Sequence, residues 1–392
     1  MTEQIAQRMS DIPFSGIRAV MEKADALRRE GRSIVPFYIG RPDFDTPAHI
    51  KEAAKKALDQ GQTAYTSNYG SLELRKAIAA ALERESGLKV DPAKQIIVTV
   101  GANEAISIAM LATLNPGDEV LIPDPMWLNY MYCAKLAGAR VVSVPLSDSN
   151  GFQLDPQDLE RRITKRTRMV LINSPHNPTG AVYSRQVIEG VADVVYRHGL
   201  LLLSDEIYDR IVFDDTRPLS PATFERIADQ TLTVNGFSKA YSMTGWRLGY
   251  VVANPSLTNA MVRVHQYTTT CATSFAQAGG VAALNGPQDS VAEMVAEFDR
   301  RRRAIIAAFC DLPGASLVPP QGAFYAFPSF KSLGGTSADL ADRLLTQAGV
   351  AVVPGSAFGQ YGEGYLRIAY SCSFEDVQRG LAAMRDYISK RR

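Results

Sequence analysis

Between residues 95 and 255 short apolar runs alternate with longer amphipathic stretches, and that pattern admits few folds. The runs span 96–100, 120–122, 141–144, 169–172, 200–203, 232–234 and 248–252, and they are rich in Val, Ile and Leu. A strand buried on both faces reads this way. Stretches at 104–114, 128–136 and 185–198 carry helical spacing instead. Strand–helix alternation implies βαβ units and parallel pairing. The expected class is therefore α/β: a mostly parallel seven-stranded sheet flanked by helices. Asn115-Pro116-Gly117-Asp118 and His198-Gly199 read as helix stops and turns.

The flanks differ from this middle. A short helix is expected over 16–30, followed by the Gly/Pro-bearing stretch YIGRPDFDTP. A charged helix is expected over 291–309, containing Asp299-Arg300-Arg301-Arg302-Arg303, which reads as a solvated helix face rather than a polyanion site. Strand-like pieces follow at 322–327, 350–353 and 365–369, then a last amphipathic helix over 374–388. The chain length of 392 residues fits two or three domains at about 150 residues each. We divide it into an N-terminal arm with part of a small domain (1–47), a large domain (48–285) and a C-terminal small domain (286–392). The smaller unit is expected to be α+β and built from both chain ends.

Composition removes several classes of function. Lys and Arg number 42 against 41 Asp and Glu, a net charge of +1. Nucleic-acid and polybasic membrane binders need a cationic excess that this chain lacks. No apolar run approaches the ~18–20 residues that span a bilayer. The opening MTEQIAQRMSD has no apolar stretch of the signal-peptide kind, so a cytoplasmic location is expected. Cys133, Cys271, Cys310 and Cys372 lie far apart, as do His49, His176, His198 and His265. Neither set has the spacing of a disulfide framework or a zinc site, and no metal is expected. Only His176 sits in a motif-like context.

Ligands of parallel α/β sheets bind beyond the carboxyl ends of the strands, so those positions carry the chemistry. After Val100 come Gly101, Ala102 and Asn103 at a helix start. Small residues there leave backbone N–H groups and a positive dipole end for a phosphate, or they form an ordinary turn. After Ile172 comes NSPHNPTG, a rigid turn that offers the short polar arms of Asn173 and Asn177. Asp205 follows four leucines, so it is either a buried acid awaiting a cation or a helix cap. Lys239 follows another buried strand among small and aromatic residues. An apolar setting lets a lysine lose its proton and act as a nucleophile, although a lysine more often reaches water. Arg247, eight residues on, presents a fork of donors suited to phosphate or carboxylate.

Together these positions describe one ligand. It has a phosphate, a ring nitrogen that wants an anion and an aldehyde that wants an amine, which is pyridoxal 5′-phosphate. No GxGxxG follows an early strand, so a dinucleotide fold is disfavoured. At this point the sequence clearly resembles the fold-type I pyridoxal-phosphate aminotransferases of class I/II. It is most similar to the bacterial and archaeal aspartate, aromatic and broad-specificity branch. The resemblance runs from IPFSGIR and GRPDFDTP through NSPHNPTG, SDEIYD and NGFSKAYSMTGWRLGY to QGAFYAFP, VAVVPGSAFG and GYLRIAYS.

The resemblance implies a role for each matching residue. Lys239 would bond the cofactor aldehyde and then shuttle the proton. Asp205 would pair with the ring nitrogen, and Tyr208 and Asn177 would hydrogen-bond the phenolic oxygen. Trp127 would stack on the ring. Gly101, Ala102, Asn103, Ser238 and Arg247 would form the phosphate cup, and Tyr65 would reach the phosphate of a neighbouring subunit. Arg367 would clamp the substrate α-carboxylate, with a backbone contact from Gly40 and further substrate contacts from Trp127 and Asn177. The activity implied is ping-pong amino transfer between an L-amino acid and a 2-oxo acid, in a homodimer with shared active sites.

Three departures from the family pattern bear on substrate identity: Arg41 where relatives often carry Glu, Ala102 where Gly is common, and the pair Asn68-Tyr69. No second arginine matches the side-chain clamp of strict aspartate enzymes, and Phe14, Ile17, Tyr69 and Tyr130 could line an apolar pocket or simply pack. Two rival readings stand beside amino transfer. One keeps the cofactor for β/γ-elimination, replacement or carbon–carbon bond formation, including in secondary metabolism. The other is a non-catalytic regulator domain, which a DNA-binding module would have to precede.

Overall fold

All seven apolar runs become strands of one sheet. The computed structural model describes residues 4–390. The large sheet and its helices run β1 (Ile96–Thr99), α4 (Ala102–Thr113), β2 (Glu119–Asp124), α5 (Leu128–Leu136), β3 (Arg140–Pro145), α6 (Pro156–Glu160), β4 (Thr167–Asn173), α7 (Arg185–His198), β5 (Leu201–Asp205), β6 (Thr231–Gly236) and β7 (Gly249–Val252). Before them come α1 (Gly16–Arg29), α2 (Ala48–Asp59) and α3 (Leu72–Ser86). After them come α8 (Pro255–Thr268), α9 (Ser274–Asn285), α10 (Asp289–Cys310), β8 (Tyr325–Ala326), α11 (Ser337–Ala348), β9 (Val353–Pro354), β10 (Leu366–Ala369) and α12 (Phe374–Ser389).

The strand order is β1-β7-β6-β5-β4-β2-β3. Only β7 runs antiparallel to its neighbours, β1 and β6. The register aligns Asn173 with Asp205 and Asp205 with Val234, which brings the carboxyl ends of β4, β5 and β6 to one level. After β2 the chain goes outward to β3 and then back across to β4. Such a reversal opens a crevice at the strand ends. Gly199 caps α7 in the left-handed conformation, φ 60°, as its place after His198 predicted.

A second sheet, β8-β10-β9, is antiparallel, and α10, α11 and α12 share its core. Residues near the N-terminus join it: Val35 bridges Val350, and Phe37 packs in the same core as Tyr370. No helix among the described residues is long and apolar enough to cross a membrane.

Two sequence expectations change here. The arginine run of α10 is not a solvated face throughout. Arg300 and Arg303 are exposed, but Arg301 and Arg302 are 5% and 4% exposed. Arg301 pairs with Asp43 at 2.7 Å and Glu297 at 2.9 Å, and Arg302 with Asp299 at 2.7 Å and Asp214 at 2.8 Å. Their carboxylate partners on other segments were invisible in the local charge pattern. Helix α9 was missed because it holds two mid-helix glycines and no charge. Close packing requires both: a Cβ on Gly279 would meet Trp246 at 2.7 Å, and one on Gly280 would meet Leu248 at 2.7 Å.

Candidate active site

The crevice at the strand ends is a cavity of about 340 Å³, and it gathers side chains from distant segments. Lys239 lies just past β6. Its Nζ donates to the Gly40 carbonyl at 2.7 Å. Desolvation, aided by the charges of Arg367 and Arg247, lowers its pKa to about 8, although Asp205 opposes the shift. Asp205, at the end of β5, is 2% exposed. Burial pushes its carboxyl up to about 6. It accepts the Tyr130 hydroxyl at 2.6 Å and the Ile207 amide at 3.2 Å, and among the described residues no arginine or lysine side chain bonds to it.

At the opposite end, α4 begins at Ala102 without a side-chain cap. Its N-cap, Gly101, has φ 79°, and a Cβ there would meet the Arg247 guanidinium at 2.5 Å. A Cβ on Gly249 would lie 2.5 Å from the Ala102 amide nitrogen, so glycine lets β7 pass beneath the helix start. Arg247 donates to the Thr244 carbonyl at 3.1 Å, and Ser238 is buried beside it in the lining. This end is cationic and rich in amide donors, as a phosphate site requires.

On the side of the second sheet, Arg367 projects from β10 and is 2% exposed. It donates to the Tyr38 carbonyl at 2.8 Å and to Asn177 Oδ1 at 3.4 Å, and its Nε is buried with no partner. Tyr208 donates to or accepts from Tyr325 at 2.8 Å. Trp127 lines the same cavity and meets the Tyr130 ring edge-on at 5.3 Å.

The cavity thus unites Gly40, Ala102, Asn103, Trp127, Asn177, Asp205, Tyr208, Ser238, Lys239, Arg247 and Arg367. Gly101 adjoins it through Arg247. Tyr65 does not line it and is 86% exposed. Of the four residues considered for an apolar pocket, only Ile17 and Tyr130 line the cavity. Tyr130 is a hydrogen-bond donor to Asp205 rather than a plain apolar wall. Tyr69 lies under the Arg75 guanidinium instead, and Phe14 is 93% exposed. His176 is a structural residue: it is buried, bonded to Thr179 at 2.8 Å, and lowered by desolvation to about 3. Sequence reasoning gave no role to Tyr325, Asn129 or Thr244, which also line the cavity. Tyr325 stood inside the quoted QGAFYAFP motif, but nothing local marks a tyrosine that contacts two distant residues.

The lining makes demands that the protein alone leaves unmet: among the described residues, a buried acid with no ion-pair partner, a partly desolvated amine and an arginine with an orphaned N–H. A protonated pyridine ring bearing an aldehyde and a phosphate answers them, and the residues fit that group. The fold and the cavity thus define a pyridoxal-phosphate enzyme.

The comparisons with known proteins narrow the class. The family model described as aminotransferase class I and II matches residues 32–384. An aspartate aminotransferase of Pyrococcus abyssi is 40% identical over 390 residues, with 99% of each chain covered. An aromatic-amino-acid aminotransferase of Thermococcus litoralis is likewise 40% identical, again over 99% of each chain. The solved aspartate aminotransferase of Rhizobium meliloti superposes with a TM-score of 0.95 at 40% identity, covering 98% of both chains. The chain belongs to the class I and II aminotransferases. It is a pyridoxal-phosphate-dependent enzyme that transfers an amino group between an amino acid and a 2-oxo acid, and the elimination and carbon–carbon bond-forming alternatives are not favoured.

Proposed function

We propose that Lys239 is the residue that bonds the cofactor and then carries the proton in a ping-pong amino transfer. The observation that carries this reading is the lowered Lys239 amine sharing one cavity with Asp205 and Arg367. When bound, the cofactor supplies an aldehyde for amines and an electron-withdrawing ring that acidifies the substrate Cα–H. Asp205 holds a proton at the ring nitrogen, where its buried charge is neutralised. Tyr208 and Asn177 orient the ring edge, and Trp127 covers its face. Gly101, Ala102 and Asn103 offer backbone donors to the phosphate, and Ser238 and Arg247 close around it. Arg367 grips the α-carboxylate with its fork and so fixes the plane of the amino acid. With a pKa of about 8, the Lys239 amine is able both to take a proton from Cα and to return it near neutral pH.

A homodimer is part of this reading. Tyr65 and Tyr267 are 86% and 87% exposed, and Asn68 joins their two segments by a 2.7 Å bond to the Thr270 carbonyl. Two exposed aromatic side chains, one before α3 and one at the end of α8, support burial against a second copy. The same proposal keeps the division at 47/48 and 285/286.

The lining also bears on substrate class. Its cations are Lys239, Arg247 and Arg367, each already engaged, while Ile17 and Asn129 line the cavity without a role toward the cofactor. This supports neutral side chains, aromatic ones included, over a second carboxylate. A single-turnover experiment tests the whole reading. An amino acid alone should release one equivalent of 2-oxo acid per subunit while the amino group stays on the enzyme. Borohydride should tag a peptide spanning residues 237–241, and Lys239→Ala should lose both the tag and turnover. Ammonia release, or a tag elsewhere, would overturn it.

A further inference from the structure

Tyr325 stands between the two halves of the site. It is 1% exposed and sits on β8 of the small sheet. Its hydroxyl lies 2.8 Å from that of Tyr208, which belongs to the segment after β5 of the large sheet. The face of its ring lies 4.7 Å from the Arg367 guanidinium. The backbone before it is held firmly: Ala323, at φ 56°, donates to the Ile211 carbonyl at 2.8 Å. Among the described residues the Tyr325 hydroxyl has one hydrogen-bond partner, Tyr208. If Tyr208 gives its own proton to the cofactor, the Tyr325 proton must point at the Tyr208 oxygen. A hydrogen bond received in this way strengthens the one donated.

We propose that Tyr325 is a positioning residue that couples the α-carboxylate clamp to the cofactor's phenolic oxygen, with its hydroxyl acting through Tyr208 and its ring through Arg367. This inference rests on the roles proposed above for Tyr208 and Arg367. It extends them, because one small-domain side chain sets the donor strength of Tyr208 and the pose of Arg367 at once. The charged and titratable groups facing the pair are Arg367, Asp205 and Lys239, whose Nζ lies 5.8 Å from the Tyr208 ring centre.

The test uses the holoenzyme and two readouts: the pH titration of its visible absorbance, and the split between KM and kcat. Tyr325→Phe keeps the ring and removes the hydroxyl. It should raise the titration midpoint by about half a pH unit, since a weaker Tyr208 bond stabilises the ring's anion less. KM for the amino acid should not change. Combined with Tyr208→Phe, the same substitution should add no further shift, because the path runs through the Tyr208 hydroxyl. Tyr325→Leu removes the platform as well, and should raise KM about tenfold. An unmoved midpoint in Tyr325→Phe, or shifts that add in the double variant, would overturn the proposal. Should Tyr325→Leu fail to fold, the two phenylalanine variants still decide it. Failure of the underlying reading looks different: Tyr208→Phe and Arg367→Ala would themselves behave as wild type.

Discussion

Asp205→Asn should make the cofactor-free protein more stable while destroying catalysis. Burial lifts the Asp205 pKa from its ordinary 3.8 to about 6, even with hydrogen bonds from Tyr130 and the Ile207 amide. Below 3.8 the folded and unfolded chains both hold the proton, and the position costs nothing. Between 3.8 and about 6 the folded chain retains a proton that the unfolded chain has released, so stability falls as pH rises. Above about 6 the full cost is present. At about 1.4 kcal/mol per pH unit, the cost amounts to about 3 kcal/mol. Asparagine keeps the shape and still accepts the Tyr130 hydroxyl, but carries no charge. Urea unfolding of the cofactor-free proteins at pH 5 and pH 8 reads the difference between variant and parent. The variant should gain about 3 kcal/mol at pH 8 and about half of that at pH 5. A gain over the parent no larger at pH 8 than at pH 5, or a variant less stable than the parent at pH 8, would refute the claim that an unneutralised acid waits in the cavity for a cation.

Other consequences follow from the same geometry. Arg367→Ala should lower kcat/KM by about 3 kcal/mol, roughly 150-fold, chiefly through KM for the amino acid; steady-state kinetics with KM unchanged would remove it from the carboxylate clamp. Arg301→Ala strands Asp43 and Glu297 beside a buried gap, so thermal or urea melts should show a loss of about 3–5 kcal/mol. A loss below about 1 kcal/mol would mean that the pair behaves as an exposed one.

The sheet was legible because burial on both faces writes itself into composition. Every residue of β1, β2 and β7 is buried, and these runs stand out without any tertiary information. Helix α7, with its clear apolar face, was equally visible, and both α5 and α7 span the residues expected of them. Helix α9 was not, since its residues are small and its glycines answer to Trp246 and Leu248 in other segments. The arginines of α10 misled for a related reason. A local charge run looks solvated until the chain brings Asp43 and Asp214 against it.

The cavity follows the same division. Strand-end placement marked Lys239 and Asp205 as chemistry-bearing, because a cation or an acid after a buried strand is costly without a partner, and its fork of donors marked Arg247. The sequence alone therefore determined the sheet, the kind of cofactor and the side chains able to meet it. Folding decided the rest: that Tyr130 bonds to Asp205, that Arg301 is buried, and that Tyr325 links Tyr208 to Arg367. Those contacts join residues from different elements, Tyr208 and Tyr325 being 117 positions apart, or depend on surfaces such residues create. Local propensity and periodicity act over a few turns of chain, whereas hydrogen-bond partners and desolvation are properties of packed surfaces.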